Sequence, residues 1–562
     1  MTKIIQRARH VEAEQQLEAA GVLPLMSRLL AARGVNAPQQ LSANLAHLLP
    51  PQTLTNNVVM AQLLADAIAD GKRLLVIGDY DADGATATAV AIKGLRMFGA
   101  KVDFLVPNRF EYGYGLTPEI VQLAAQQKPD VIVTVDNGIA SVEGVEEANR
   151  LGIQVLITDH HLPGNTTPNA ACIINPNQHG CNFLSKNLAG VGVMFYALLA
   201  LRAELRARGA FGDMLEPNLT ELLDLVALGT VADLVKLDDN NRILVEQGLR
   251  RIRAGACCAG ILALLKVSGR QPHMASAQDL GFYVGPRLNA AGRLDDMRLG
   301  IQCLLADNET EATRIAQQLQ DLNVQRRSIE ADMQEGATLT LDEVDVQNQY
   351  SLSLYQDDWH QGVIGILASR IKERFHRPTI AFADAGDGLL KGSGRSIAGL
   401  HLRDALDLLT KHQPDLIVKF GGHAMAAGLT IKQTDYEKFN HSFEAVVRSL
   451  ITEADLESTL EVDGSLQANE MTFSTAQLIE NQVWGQGFTP PIFYDRFEVV
   501  NQRLLAEKHL KLSLKKEGVA AIDAIYFNHA TFFDGPINVA YQLQTNSYNG
   551  TQKVQLNIKL VG

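Results

Sequence analysis

Three short segments concentrate side chains able to hold metal ions: Asp79-Tyr80-Asp81-Ala82-Asp83-Gly84, Asp136-Asn137-Gly138 and Asp159-His160-His161. A further carboxylate, Asp233, ends the apolar run LVALGTVAD. Carboxylates gathered in one small volume repel each other unless cations neutralise them. Hard oxygen ligands combined with imidazole suit Mg²⁺ or Mn²⁺. Two such ions ~3.5–4 Å apart can share a water, lower its pKa and stabilise both attacking and leaving oxygens. The natural substrate of such a centre is a phosphoester, whose charged transition state needs cations. The chain has no GxxxxGK[ST] pattern, and no GxGxxG follows its first strand-like run, so a nucleotide cofactor is not indicated. Taken singly, an Asp after a strand is commonly a helix N-cap, and His160-His161 would fit a surface loop. The metal reading rests on their occurrence together.

The elements that must position these residues are legible around them. Five apolar, β-branched runs recur: Arg73–Gly78, Val102–Val106, Asp130–Val135, Gln154–Thr158 and Cys172–Ile174. Helix-like segments such as Thr86–Phe98 and Pro118–Gln127 lie between them. This alternation predicts a doubly wound α/β domain, a parallel sheet covered on both faces. Ligands of open α/β sheets bind beyond the carboxyl ends of the strands. The acidic segments follow the first, third and fourth runs. Neighbouring strands lie ~4.8 Å apart, so side chains from adjacent ends can converge.

At 562 residues the chain is long enough for three or four domains of roughly 100–200 residues. Residues 1–55 read as a helical lead-in and 56–305 as the acidic α/β domain. Residues 306–345 hold a long connecting helix, with Ala312, Ile315, Ala316, Leu319 and Leu322 at helical spacing. Residues 346–452 form a second α/β domain, with strands at Ser351–Leu354 and Thr379–Phe382. Residues 453–562 turn to short alternating runs, among them Phe497–Val500, His509–Leu514 and Lys553–Ile558, which suggest a small β-barrel. A composition of 46% hydrophobic and 20% charged residues excludes a disordered chain. No apolar run approaches the ~20 residues of a membrane span. The first residues show no apolar signal segment. The five cysteines form no CxxC pattern, so a reducing cytoplasm is expected. The formal net charge of −13 argues against bulk attraction to nucleic acid.

DYDADG (79–84), VDNGI (135–139) and Asp159-His160-His161 resemble the successive motifs of the DHH phosphoesterase superfamily, and LGTVAD resembles its fourth. GGHAMAAG (421–428) resembles the signature of the DHH-associated domain. Further matches are Pro107-Asn108-Arg109, GPRLNAAGRLDD (285–296), WHQGVIG (359–365) and GSGRS (392–396). WGQGFTPPIF (484–493) looks like the start of an OB-like domain. Their order resembles the RecJ-type single-strand-specific 5′→3′ exonucleases, over nearly all of the chain beyond about residue 60. Two departures are Lys236, where that family's pattern has proline, and Tyr112, where a shorter or more acidic residue is common before GYG.

The resemblance implies that Asp81, Asp83, Asp136, His160 and Asp233 hold two divalent ions, Mn²⁺ or Mg²⁺, with Asp136 as the bridge. Asp79 is then a further ligand or a partner of one, and His161 contacts the scissile phosphate. The implied activity is hydrolysis of single-stranded DNA from its 5′ end to mononucleotides, in recombination and repair. The resemblance also implies a helicase and a single-stranded DNA-binding protein as partners, and a monomer is expected. Ser393 and Arg395 offer an anion pocket for the 5′ end, although GSGRS alone reads as a tight turn. Arg109, Arg287, Asn289 and Arg293 would contact phosphates of the strand. His360 and His423 would lie near substrate, or else be packed core histidines. In the OB-like domain, Lys508, His509, Lys511, Lys515 and Lys516 form a basic stretch. Phe497, Tyr526, Phe527 and Tyr541 are candidate stacking residues. Selection for single strands would be steric, by a channel too narrow for a duplex. A DHH hydrolase of dinucleotides or short RNA is the first alternative, which the length of the chain disfavours. An inactive DNA-binding scaffold is the second, which the intact acidic and histidine positions disfavour.

Overall fold

The computed structural model describes residues 2–107, 112, 115–212, 215–342, 345–548 and 551–562. They fall into two compact units. One comprises Gln6–Gln320 with Glu461–Gly562, and the other Asp321–Leu460 with the first five residues. The division lies within the long helix Glu309–Asp342.

The first unit is built on a five-stranded parallel sheet in the spatial order Lys101–Leu105, Arg73–Gly78, Val131–Val135, Gln154–Thr158, Cys172–Ile174. Every residue of Val131–Val135 is buried, as a central strand covered on both faces requires. On one face Leu75, Ile77, Ile132, Val155 and Ile157 pack with Ile120, Val121, Val145 and Ala148 of helices Pro118–Ala125 and Val142–Arg150. Helices Ala82–Met97 and Gly190–Ala207 also pack on the sheet strands and on each other. All five predicted strands are present, with the second at Lys101–Leu105 and the third at Val131–Val135. The helix expected at Thr86–Phe98 starts earlier, at Ala82, because the Asp81 side chain caps it by accepting from the amides of Asp83 and Gly84.

The register aligns the strand ends. Gly78 pairs with Val135, Val135 with Thr158, and Thr158 with Ile174. The next residues, Asp79, Asp136, Asp159 and Asn175, therefore open their loops at one height. The strand order reverses between Arg73–Gly78 and Val131–Val135. That is the switch point at which a doubly wound sheet leaves a crevice.

The same unit carries a closed barrel of five strands: Phe493–Leu505, His509–Lys515, Ile522–Tyr526, Thr551–Val561 and Ile537–Tyr548. Here the structure corrects part of the expected DNA-binding surface. Phe497 and Tyr541 are core residues, 1% and 0% exposed, and cannot stack on bases. The Tyr541 hydroxyl donates to Asp495 at 2.7 Å. Lys516 is turned inward, its Nζ donating to the Leu466 carbonyl, the Ser465 hydroxyl and Asp495. Lys511 is paired with Asp523 at 3.1 Å. Tyr526 stacks on His529, and His529 on Phe533, while Phe527 is half-exposed beside His509.

The second unit is a five-stranded mixed sheet in the order Lys419–Gly422, Ala426–Lys432, Leu389–Arg395, Thr379–Gly386, Leu352–Tyr355. Phe382 of this sheet packs edge-on against Phe439 of helix Tyr436–Leu450, which stacks on Phe443. Among the described residues no helix is long and apolar enough to cross a membrane.

Candidate metal centre

At the carboxyl ends of the strands, side chains from four separate segments meet. His160 Nε2 lies 3.0 Å from Asp136 Oδ1, 3.5 Å from Asp233 Oδ2 and 3.9 Å from Asp83 Oδ2. Three donor sets have their ligand atoms within 4.8 Å of one another: Asp83, His160 and Asp233; Asp79, Asp81 and Asp136; and Asp136, His160 and His161. Every metal-binding position expected from the sequence thus belongs to one constellation.

Local backbone explains how each residue is aimed. Asp136 has a left-handed conformation, φ 62°, and its amide donates to the Thr158 carbonyl of the next strand. This turns its carboxylate back over the sheet. Asp83 stands in the first turn of helix Ala82–Met97, and its two oxygens accept from the amides of Gly190 and Val191 at 2.6 and 3.0 Å. The start of helix Gly190–Ala207 therefore holds this carboxylate, the arrangement that unsatisfied helix N-terminal amides favour. Asp233 ends helix Leu223–Ala232, and the left-handed Leu234 then turns the chain away.

The electrostatics fit a cation site. Asp79, Asp83 and Asp136 are 7%, 1% and 2% exposed. Burial, reinforced by Asp81, pushes the Asp83 carboxyl up to about 7. Burial and the neighbouring aspartates hold Asp136 and Asp233 well above the carboxylate range. The buried Oδ1 of Asp136 accepts no hydrogen bond among the described residues. Crowded, desolvated carboxylates with an open acceptor and an imidazole are the donor set that divalent Mn²⁺ or Mg²⁺ takes.

A supporting layer escaped the sequence reading. Asp159, 1% exposed, accepts from the amides of Ile139, His160 and His161 and from His161 Nδ1 at 2.7 Å. Burial works against its charge. The charge and hydrogen bond of His161 outweigh that and bring Asp159 down to about 2. Burial likewise opposes the charged His161, but the charge and hydrogen bond of Asp159 outweigh it and raise the imidazole to about 9. Asn175 and Asn177 donate to the backbone carbonyls of His161 and His160. Asn137 bridges the two central strands, donating to the carbonyls of Ile77 and Val135. The signal for these residues was the shared register of the strand ends, and Asp159 itself lies within the DHH triplet.

The remaining predicted site residues fall in three groups. Asn289 is drawn into the centre: its Oδ1 accepts from the Ala82 amide at 2.8 Å and so steadies the Asp79–Asp83 loop. It stands on helix Gly285–Leu294, whose Gly292 faces Tyr80 so closely that a Cβ there would lie 1.8 Å from the Tyr80 carbonyl oxygen. Arg287 is buried on the same helix and donates to the Tyr283 carbonyl, and Arg293 is near the helix end. In the second unit, Arg395 donates to the Ser393 hydroxyl at 3.2 Å and to the Gly394 carbonyl at 2.8 Å, and its burial lowers its pKa. Gly365, in the first turn of helix Ile364–Phe375, faces both: a Cβ there would stand 2.9 Å from Ser393 Oγ and 3.0 Å from Arg395 Nη2. His360 accepts from the Gly362 amide, and the His423 amide donates to Ala426. Arg109 lies outside the described residues. Lys236, a departure from the family pattern, is exposed and outside the cluster.

Comparison with known proteins agrees with this architecture. Residues 73–230 match the DHH family, N-terminal domain, residues 347–449 the DHHA1 domain, and residues 462–560 the RecJ OB domain. The chain is 50% identical to the single-stranded-DNA-specific exonuclease RecJ of Salmonella typhimurium, over 98% of both chains. It is 49% identical to the Escherichia coli protein of the same name, also over 98% of both. The crystal structure of Thermus thermophilus RecJ in complex with Mn²⁺ superposes with a TM-score of 0.83 at 28% identity, covering 100% of this chain and 79% of that one. The same protein's complex with Mg²⁺ gives a TM-score of 0.78. With these three domains in this order and half its residues shared with such relatives along almost its whole length, the chain belongs to the RecJ family of single-stranded-DNA-specific exonucleases.

Proposed function

We propose that this protein is a divalent-metal-dependent exonuclease that degrades single-stranded DNA from its 5′ end to mononucleotides. The observation that carries the reading is the convergence of Asp83, Asp136, His160 and Asp233 on one small volume at the switch point of the sheet. Two donor sets that share no residue, Asp83–His160–Asp233 and Asp79–Asp81–Asp136, favour two ions. Asp136, 3.0 Å from His160, would link the two sets. When bound, such ions acidify an attacking water and neutralise charge on the phosphoryl oxygens.

The protein's own groups supply the rest. His161, charged through its pairing with Asp159, does not compete for a cation and offers a hydrogen bond to a scissile phosphate. Asp81 fixes the first turn of helix Ala82–Met97 while facing the cluster, so cap and ligand are one residue. The 5′-terminal phosphate is assigned to Ser393, Arg395 and the first turn of helix Ile364–Phe375, where a hydroxyl, a guanidinium and helix amides share one small volume.

The test offers 5′-phosphorylated single-stranded DNA, matched duplex and a dinucleotide, each with Mn²⁺, Mg²⁺ or EDTA. Mononucleotide release from the single strand, abolished by EDTA and by Asp136→Ala, is the expected result. Cleavage of the dinucleotide alone would overturn the exonuclease reading. Arg395→Ala is expected to raise KM for the 5′-phosphorylated strand without altering metal content. Lost metal with an unchanged KM would contradict the anchor assignment.

A further inference from the structure

A polar cleft of about 280 Å³ lies well away in sequence from the metal-binding loops, where the N-terminal lead-in meets the segment running into the barrel. Its charged wall comprises Arg7, Arg9 and Arg28 from the lead-in, facing Asp463, Gly464 and Ser465. None of these residues takes part in the metal centre or the 5′-phosphate anchor. Three of the four guanidiniums here are directly paired, and the fourth, Arg28, acts on Glu14 from farther off. Arg33 makes two hydrogen bonds to Asp463, at 2.8 and 2.9 Å, with both side chains almost fully buried. That pair ties the lead-in to the segment running into the barrel and is structural. Arg7 binds Glu461 at 2.8 Å, and its Nε lies 3.5 Å from the already occupied Asp463. Arg9 forms an ion pair with the buried Glu14 and feels Glu18 from farther off. Arg28 is left over. Its hydrogen bond to protein is a 3.3 Å contact with the Ser465 carbonyl, and its buried Nε makes none. Around the cleft, Arg7, Arg9 and Arg33 thus each have a carboxylate in direct contact, and Arg28 does not.

We propose that this cleft binds one backbone phosphate of the single-stranded DNA substrate, with Arg28 as its principal contact and Arg7 and Arg9 beside it. The inference rests on the single-stranded DNA reading above. A phosphodiester presents oxygens to which a guanidinium is the best-matched side chain, and Arg28 brings one whose buried Nε is unengaged. The volume is at the low end of the ~300–1,000 Å³ typical of small-ligand sites, which suits a phosphate group with its sugar. Its apolar lining is limited to Ala8 and Ala32, so there is no pocket for a bulky side chain of a bound peptide. Ser465 on the cleft wall also contacts the barrel. Ser465 is hydrogen-bonded to both Asp495 and Lys516, so a strand held on the barrel has a phosphate-binding position at its margin.

The test measures binding of fluorescent oligo(dT) of 6 and 20 nucleotides to the full chain at 50–300 mM NaCl, in an Asp136→Asn background that prevents hydrolysis. Removing one cation that neutralises a phosphate lowers the log–log salt slope by ~0.7 for a single strand. Arg28→Ala is expected to lower the slope for the 20-mer by about that amount, which changes the salt-induced fall in affinity between 50 and 200 mM by roughly 2–3-fold. Arg28→Lys should keep the slope. A slope unchanged in Arg28→Ala, with melting equal to the parent, would overturn the proposal. So would stabilisation by inorganic phosphate that depends on Arg28 while the DNA slope does not, since the cleft would then be a site for a free anion. If the parent itself bound neither oligomer, the failure would lie with the DNA reading.

Discussion

At the scale of single residues, the centre trades stability of the metal-free fold for cation binding. Asp136 is buried, flanked by three or more other aspartates and held at φ 62°. Asparagine tolerates the left-handed region and has nearly the same shape, so Asp136→Asn removes the charge while keeping the backbone. Hydrolysis should fall to background. The metal-free variant should be more stable than the parent at pH 8 by about 1–4 kcal/mol in urea unfolding, because an uncompensated buried carboxylate is gone. Loss of stability would mean that Asp136 is held by contacts the cluster does not reveal. Asp83 gives the corresponding pH dependence. Its carboxyl is raised from 3.8 to about 7, so the folded state binds more protons than the unfolded one between those values. Its contribution to metal-free stability is then fully present below pH 3.8 and is lost as the pH rises through about 7. Cation binding must displace that proton. Calorimetry at pH 6 in buffers of different ionisation enthalpy should register proton release with Mn²⁺, and the apparent affinity should rise from pH 6 to pH 8. An affinity that is flat across this range would exclude Asp83 as a ligand.

At the scale of elements, strand ends and helix starts do the positioning, and this sets what the sequence could disclose. Strands Arg73–Gly78, Gln154–Thr158 and Cys172–Ile174 were readable to the residue, because buried parallel strands are unbroken apolar runs bounded by polar loops. The proposed ligand set could be picked out because its residues sit at those boundaries. The roles of Asn289 and Asp159 were not, since a hydrogen bond to a loop amide depends on how distant segments pack. Nor could alternation tell Phe497 and Tyr541, which fill the barrel, from Phe527, which is exposed. Packing around the centre and in the barrel can be tested separately. Gly292→Ala must push helix Gly285–Leu294 off the Tyr80 carbonyl, at a cost of about 1–3 kcal/mol as overpacking does. By shifting the Asp79–Asp83 loop it should also weaken Mn²⁺ binding roughly 10–100-fold, the range typical when a ligand's support is removed. A stability loss with unchanged metal affinity would separate that helix from the centre. In the barrel, Phe527→Ala should weaken single-stranded DNA binding by ~1–3 kcal/mol with little change in melting. Tyr541→Phe should destabilise by about 1.5–3 kcal/mol by removing the bond to Asp495 and leave DNA affinity intact.

At the scale of the whole molecule, the net charge of −13 must be reconciled with a polyanionic substrate. Spread over 25429 Å² of surface, that excess is on the order of one charge per 2,000 Å², or ~40 Å between charges. Charges so far apart are separated by several Debye lengths, which are ~8 Å each at physiological salt, so the general surface repels a strand only weakly. The repulsion that matters is local. Asp79, Asp81, Asp83, Asp136, Asp159 and Asp233 gather at one end of one sheet, opposed there by His161. Without cations this cluster should push away the phosphate it is built to cleave. Metal removal is therefore expected to weaken binding as well as to stop hydrolysis. Fluorescence anisotropy with a 5′-phosphorylated oligonucleotide should show lower affinity in EDTA than in Ca²⁺ or Mn²⁺ under conditions that prevent turnover. Asp136→Asn, with one charge fewer in the cluster, should bind more tightly than the parent in EDTA although it cannot cleave. An affinity indifferent to EDTA in the parent would mean that the strand is held wholly outside the cluster, by groups such as the arginines of the lead-in, and that the acidic centre contributes to chemistry alone.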